Sequence, residues 1–461
     1  MKSNPYQLRK SLTQVVAPAL CFLTLLACLW SASACAQTYE LWVDASRGND
    51  RNAGTARKPL QSLGRAIAVA NAISGGTVDI KVRPGTYPVV ANTTITRDHL
   101  SIEGLSSPIL NRDGYLDHFA NPVTIVAANL GDTNLWINVL LLVRASDVAL
   151  SGLSFFSNAE AGAGTNVNLL VNLYPLAFEG QWPSPRDVNF TPRTLTGESV
   201  RLCNFDGWPQ AAAFNYASGT VEQCKVQHCF VGFYAGPSPG GGRLDFNRNH
   251  LTLNFEASLQ VCGTPNFWSA PAQPASLVVN ASGNLFENGL HLGAIELFIR
   301  DYTPSAMDQP GYLEVHLTGN TFRNNSLADL TIVDLSHDHY NTHLVSYNTK
   351  TPPVTVAVAL AGNSFQGPEL TAQITFQEFR DLYDYSTGEP LFYYPWIPRF
   401  VQNAAVVIDD PEHELADCTG GTRSFQYRIR QTDNDFLYWN GHSLAGAIPS
   451  TGFGVTVPPC Q

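Results

Sequence analysis

From Val78 onward the chain alternates apolar and polar residues with a period of two, in short runs broken by Gly, Asn and Pro. Leu100-Ser101-Ile102-Glu103-Gly104, Val148-Ala149-Leu150-Ser151-Gly152 and Val221–Val226 are of this kind, as are Leu244–Phe246, Leu277–Val279 and Tyr312–Leu317. Such runs predict short half-buried strands. Helical spacing stands out in one place: Leu63, Ile67 and Ala70 fall on one face within Leu60–Ala72, with Ser62 placed to cap the start and Gly75-Gly76 to stop the end. Leu41-Trp42-Val43 predicts a strand before this helix, and Val78, Ile80 and Val82 predict one after it.

A degenerate repeat organises the strands. Gly283-Asn284-Leu285-Phe286, Gly319-Asn320-Thr321-Phe322 and Gly362-Asn363-Ser364-Phe365 share a G-N-x-F pattern, and Asn247-Arg248-Asn249-His250-Leu251 reads as an eroded copy. The asparagine suits a tight turn and a side-chain ladder between neighbouring coils, and the phenylalanine suits an interior stack. One coil cannot bury its own apolar face, so repeats of this kind imply stacking. Segments rich in Pro, Gly and aromatic residues interrupt the pattern at 111–136, 175–196, 234–242, 264–274, 302–311, 337–353 and 381–400. These are expected to wall a groove on one side of the stack.

The segment Leu41–Tyr87 closely resembles the N-terminal cap and first turn of secreted parallel β-helix proteins of the pectate-lyase-like superfamily. The matching residues are Val43-Asp44, Gly48-Asn49-Asp50, Asn52, Gly54-Thr55, Pro59 and Pro84-Gly85-Thr86-Tyr87. The resemblance implies an all-β fold, a single-stranded right-handed parallel β-helix with an N-terminal capping helix and a C-terminal cap. It further implies action on polysaccharide, by lyase or glycosidase chemistry. The expected boundaries are a signal peptide over 1–36, strand and capping helix over 37–76, the β-helix over 77–408 and the C-terminal cap over 409–461. The polygalacturonase-type motif set is not matched, because Asp409-Asp410 and Arg428-Ile429-Arg430 have no accompanying G-H-G.

Composition narrows the compartment. Lys2, Arg9 and Lys10 precede an apolar run from Val15 to Trp30, and Ala34-Cys35-Ala36 offers a cleavage site, the form of a secretory signal. The chain is therefore expected to be secreted or periplasmic. Leu25-Leu26-Ala27-Cys28 supports the alternative, an outer-membrane lipoprotein anchored through Cys28. No later stretch is long and apolar enough to span a bilayer. The net charge is −11, which speaks against nucleic acid as partner. Beyond the leader the cysteines are Cys203, Cys224, Cys229, Cys262, Cys418 and Cys460. In an exported chain these favour disulfides. Cys203 with Cys224 in stacked strands, and Cys418 with Cys460, are the expected pairs.

The repeat also supplies a register for chemistry. Counting forward from the asparagines aligns Ile295–Arg300 with Thr331–Ser336 and Ile374–Phe379. With coils about 4.8 Å apart, Glu296, Arg300, Asp334 and Gln377 would share one sheet face, leading into Asp301, His337 and Arg380. In a uronan lyase, Arg300 or a bound cation would neutralise the sugar carboxylate and His337 or His339 would take the C5 proton. In a glycosidase, Glu296 and Asp334 would serve as the carboxylate pair. Tyr393, Tyr394 and Trp396 offer stacking surfaces for sugar rings. The acidic cluster Asp409–Glu414 with Asp417 reads either as solvated charge or as oxygen ligands for Ca²⁺, and no metal site is assigned to it. A non-catalytic glycan-binding surface protein is the rival reading, and these same aromatics would serve it.

Overall fold

The computed structural model describes residues 37–129, 138–157, 173–180, 193–255, 257–262, 275–290, 294–300, 311–325 and 330–335, and beyond these 354–367, 374–378, 383–384, 389–390, 406–408, 425–432, 435–438 and 453–454. The leader, Cys418, Cys460 and the acidic cluster at 409–417 lie outside the described residues.

The chain winds as a parallel β-helix with three sheets. The first full coil lays down Thr77–Val82 in the first sheet, Gly85–Val89 in the second and Thr93–Ile95 in the third. Each strand then pairs in parallel with its counterpart one coil on. The alternation read from the sequence becomes rows that run along the stack. Ile80, Ile102, Leu150, Val200, Val221, Phe246, Ala281 and Leu317 are register partners in turn and are all buried. Among the described residues the main apolar core extends from Leu41 to Leu330, and a smaller cluster of Val139, Leu142, Ala177 and Ala213 lies apart from it.

The helix, α1, spans Leu63–Ala72, and the Ser62 side chain accepts from Arg65 N as its N-cap. Its buried Leu63, Ala66, Ile67 and Ala70 join the core. It packs against Thr38–Val43, Thr77–Val82, Gly85–Val89 and Thr93–Ile95, touching all three sheets at their first coil. The motif residues before α1 build this junction. Asp50 accepts from Gln61 N and Ser62 N at 2.9 Å. Asp44 accepts from Ser46 N, Arg47 N and Arg83. At Gly48 an added Cβ would lie 2.2 Å from Leu60 O, so only glycine fits.

Corners between the first and second sheets repeat one conformation. Gly152, Leu202, Gln223, Arg248, Gly283, Gly319 and Gly362 all adopt positive φ, from 49° to 65°. The residue after each of the last four is the ladder asparagine. Asn249, Asn284 and Asn320 each donate both backbone N and Nδ2 to the Oδ1 of the asparagine one coil on, at 2.9–3.0 Å. Beside the ladder Phe286 stacks on Phe322 with ring centroids 5.1 Å apart.

Two expectations are corrected. Cys203 and Cys224 do occupy one column, at the positions the asparagines take in later coils, but they carry no disulfide. Their thiols donate to Leu150 O and Val200 O, and Cys229 is likewise unbridged. Burial pushes the Cys224 thiol well up and that of Cys229 to about 12, so the thiolates needed for oxidation are scarce. Native protein should therefore leave Cys224 and Cys229 unlabelled by a maleimide at neutral pH. A peptide map without reductant should contain no Cys203–Cys224 linked peptide.

The second correction concerns the interruptions. Residues 111–136 include Leu116–Phe119 and Val123–Ala127, and Pro175 lies inside Leu173–Glu179. On the C-terminal side, sheet pairing is described beyond Ile408 as well. Phe425–Thr432 and Asp435–Tyr438 extend the first and second sheets in parallel, and Phe453–Gly454 then pairs antiparallel.

Candidate functional site

The structure separates the residues that counting had aligned. Ile295 pairs with Leu330 and Leu330 with Ile374, so Glu296 partners Thr331, and Arg300 partners Leu335. Asp334 shares its register position with Ile299 and Glu378, and Gln377 with Val333. The passage from Asn320 to the third sheet is one residue shorter than those from Asn284 and Asn363. A slip of one residue exchanges the two faces of a strand, so Glu296 and Asp334 fall out of phase. Glu296 is buried, with Oε2 accepting from Gln260 Nε2 at 2.6 Å. His337, His339, Arg380, Tyr393, Tyr394 and Trp396 lie outside the described residues.

Polar chemistry converges instead on the outer face of the second sheet. One row holds Asp206, Gln227, Thr252, Glu287 and Arg323, and the adjacent row holds Asn204, Lys225 and His250. Glu287 is the hub. Its Oε1 meets His250 Nε2 at 2.8 Å, while Oε2 accepts from Arg323 Nε at 2.9 Å and from a second nitrogen of the same guanidinium. The hydrogen bond from His250, followed by those from Arg323, outweighs burial and holds the carboxyl at about 2. Glu287 is thus a fixed anion. Nε2 faces that carboxylate, which leaves Nδ1 as the ring's other nitrogen. That nitrogen is buried and has no hydrogen-bond partner. Two positions along the adjacent row, Asn204 Oδ1 is also buried without a partner.

A hairpin lies over this strip. Its strands are Pro108–Leu110 and Leu116–Phe119, between the first and second sheets of one coil. Asn111 Oδ1 accepts from Asp113 N and Tyr115 N and shapes the turn. Lys225 Nζ donates to Asp117 O at 2.8 Å and to Asp117 Oδ1 at 3.2 Å. Tyr115 donates its hydroxyl to Gly283 O at 3.0 Å, and its ring centroid stands 6.1 Å from that of His250. Asp117 is held below the usual carboxylate range, chiefly by the hydrogen bond with His118 and then by Lys225.

The sequence carried a signal for this strip. In G-N-x-F the residue after phenylalanine must face outward by alternation, and those residues are Glu287, Arg323 and Gln366. Among the described residues no group of three or more His, Cys, Asp or Glu is placed to hold a metal ion, and no helix is long and apolar enough to cross a membrane.

No family model and no curated protein matches the chain. Among solved structures, the GH136 lacto-N-biosidase from Eubacterium ramulus is 10% identical at a TM-score of 0.29, covering 74% of this chain and 67% of its own. A rhamnogalacturonan lyase is 10% identical at 0.29, covering 73% and 75%. The DFA-IIIase from Arthrobacter chlorophenolicus A6, in complex with GF2, is 12% identical at 0.27, covering 73% and 91%. Overlap at this level carries nothing about the chemistry of this chain, which rests on its own residues.

Proposed function

We propose that the protein acts on an extracellular or cell-envelope polysaccharide, cleaving uronate-containing chains by β-elimination on the outer face of the second sheet. The observation that carries this reading is the Glu287–His250 pair, a fixed carboxylate that orients an imidazole whose other nitrogen is left without a partner. Elimination needs a base for the proton beside the sugar carboxylate and cations to stabilise the charge that develops there. His250 Nδ1 takes the C5 proton, and Arg323 and Lys225 face the carboxylate. The C4–O bond then breaks as the C4–C5 double bond forms, the departing oxygen takes a proton from water, and the imidazolium returns its proton to the hydroxide so formed. Glu287 does not react. It keeps Nδ1 as the basic nitrogen and stabilises the imidazolium that results.

The test is an activity screen of the protein on acidic and neutral polysaccharides, with and without Ca²⁺, following ultraviolet absorbance of unsaturated uronates and reducing ends separately. The expected result is an ultraviolet rise on acidic chains that falls by about a hundredfold or more in His250→Ala, with Arg300→Ala little changed. Reducing ends without ultraviolet signal would replace elimination by hydrolysis and remove His250 as the base. Silence across the panel together with retention on a glycan array would make the protein a binding module.

A further inference from the structure

We infer that the hairpin over the second sheet is an internal stand-in for substrate, with the Asp117 carboxylate occupying on Lys225 the place of a sugar carboxylate. This rests on the preceding reading of the strip and adds the means by which the free site is kept closed. Lys225 is the cation nearest the unpartnered nitrogen along its row, since it and His250 are register partners. Asp117 Oδ1 lies 3.2 Å from its Nζ, with the backbone oxygen of Asp117 at 2.8 Å. The hairpin supplies the rest of what a bound sugar would supply. Tyr115 lays a ring beside His250 and anchors it by its hydroxyl on Gly283 O.

What the hairpin does not supply is a hydrogen-bond donor to His250 Nδ1 or Asn204 Oδ1. Both are buried polar atoms without a partner, a condition that costs about 1–3 kcal/mol each. A sugar brings hydroxyls that donate to Asn204 Oδ1 and a C5–H to set against His250 Nδ1, so a uronate matches the strip better than Asp117 does. The ligand class is therefore a carboxylate-bearing sugar with free hydroxyls. It enters by displacing Asp117 from Lys225, and the hairpin lowers its apparent affinity by the fraction of molecules in which that ion pair is closed.

The experiment is calorimetric titration of the full chain with oligogalacturonate and oligoglucuronate, and with a neutral cello-oligosaccharide as the negative probe. Asp117→Asn should bind a uronate oligosaccharide about tenfold more tightly than the unmodified protein, and Tyr115→Phe should bind it more tightly as well. Lys225→Met should lose uronate binding whatever stands at position 117. Unchanged or weaker binding by both Asp117→Asn and Tyr115→Phe, each confirmed folded by circular dichroism, overturns the stand-in while leaving the cleavage reading to its own screen. Uronate binding in no variant overturns it too, and a silent screen alongside would remove the cleavage reading independently.

Discussion

Asn320→Ala should lower the stability of the folded chain by about 3–5 kcal/mol, more than most single substitutions achieve. The side chain is 1% exposed. Its Oδ1 accepts from both the backbone N and Nδ2 of Asn284 at 2.9 Å, and its Nδ2 donates to Ala281 O at 2.9 Å and to Asn363 Oδ1 at 3.0 Å. Alanine would leave Asn284 N buried without a partner, take a second donor from Ala281 O, break the bond to Asn363 and leave the space of the amide empty. A buried group left unpartnered forfeits about 1–3 kcal/mol, and neighbouring bonds in a polarised chain weaken with it. Asn320→Asp would be no remedy, since it keeps the acceptor but loses both donors and adds a buried charge. Urea denaturation followed by circular dichroism reads the effect as a lowered midpoint. A midpoint within experimental error of the unmodified protein would mean that the ladder decorates the turns and does not hold them.

Glu198→Gln should act in the opposite direction, raising stability by about 3 kcal/mol at pH 7 and by almost nothing at pH 4. Glu198 lies in Leu195–Arg201 with the phase of Val200, facing the interior, and is 1% exposed. It fits because its register partner is Gly219, where a Cβ would come within 2.8 Å of the Glu198 Cβ. One carboxyl oxygen accepts from Val148 N at 3.3 Å and the other has no partner. Burial, with Asp147 and Asp98 nearby, pushes its pKa up to about 9 from a usual 4.5. The unfolded chain loses the proton near 4.5 and the folded chain only near 9. This group therefore makes stability fall as pH rises between those values. Glutamine keeps the shape and cannot ionise, so it removes that contribution. Parallel curves for the two proteins between pH 4 and 9 would overturn the assignment.

The coils were legible in the sequence because alternation has one physical cause, a strand with one face in the core. The asparagine of G-N-x-F was legible as a ladder because a polar residue recurring beside buried phenylalanines must satisfy itself on its neighbours. Asp44 and Asp50 were legible as part of the motif at the first turn, and their hydrogen bonds show that motif to be architecture. What could not be read was the phase of the third sheet. Nothing in the repeat reveals that one corner after Asn320 is a residue shorter, and a strand keeps no tolerance for that error. The disulfide between Cys203 and Cys224 failed for a related reason. Vertical stacking was inferred correctly, but cysteine at a ladder position serves as a small buried side chain whose thiol donates to a backbone carbonyl. The Glu287–His250 pair went unread because its members are far apart in sequence and only the coil brings them together.

Ladder contacts join residues 25, 35, 36 and 43 positions apart in successive coils, from Cys224 to Asn363, yet the strands they connect stay in register. From Ala257–Cys262 onward the added length falls between the third sheet of one coil and the first sheet of the next. The scaffold therefore behaves like a shelf with fixed brackets, on which each lineage or each engineer can exchange what is displayed without rebuilding the wall. Segments inserted at that corner should be inherited, lost or grafted independently of one another, so that proteins with the same frame can come to meet unrelated surfaces.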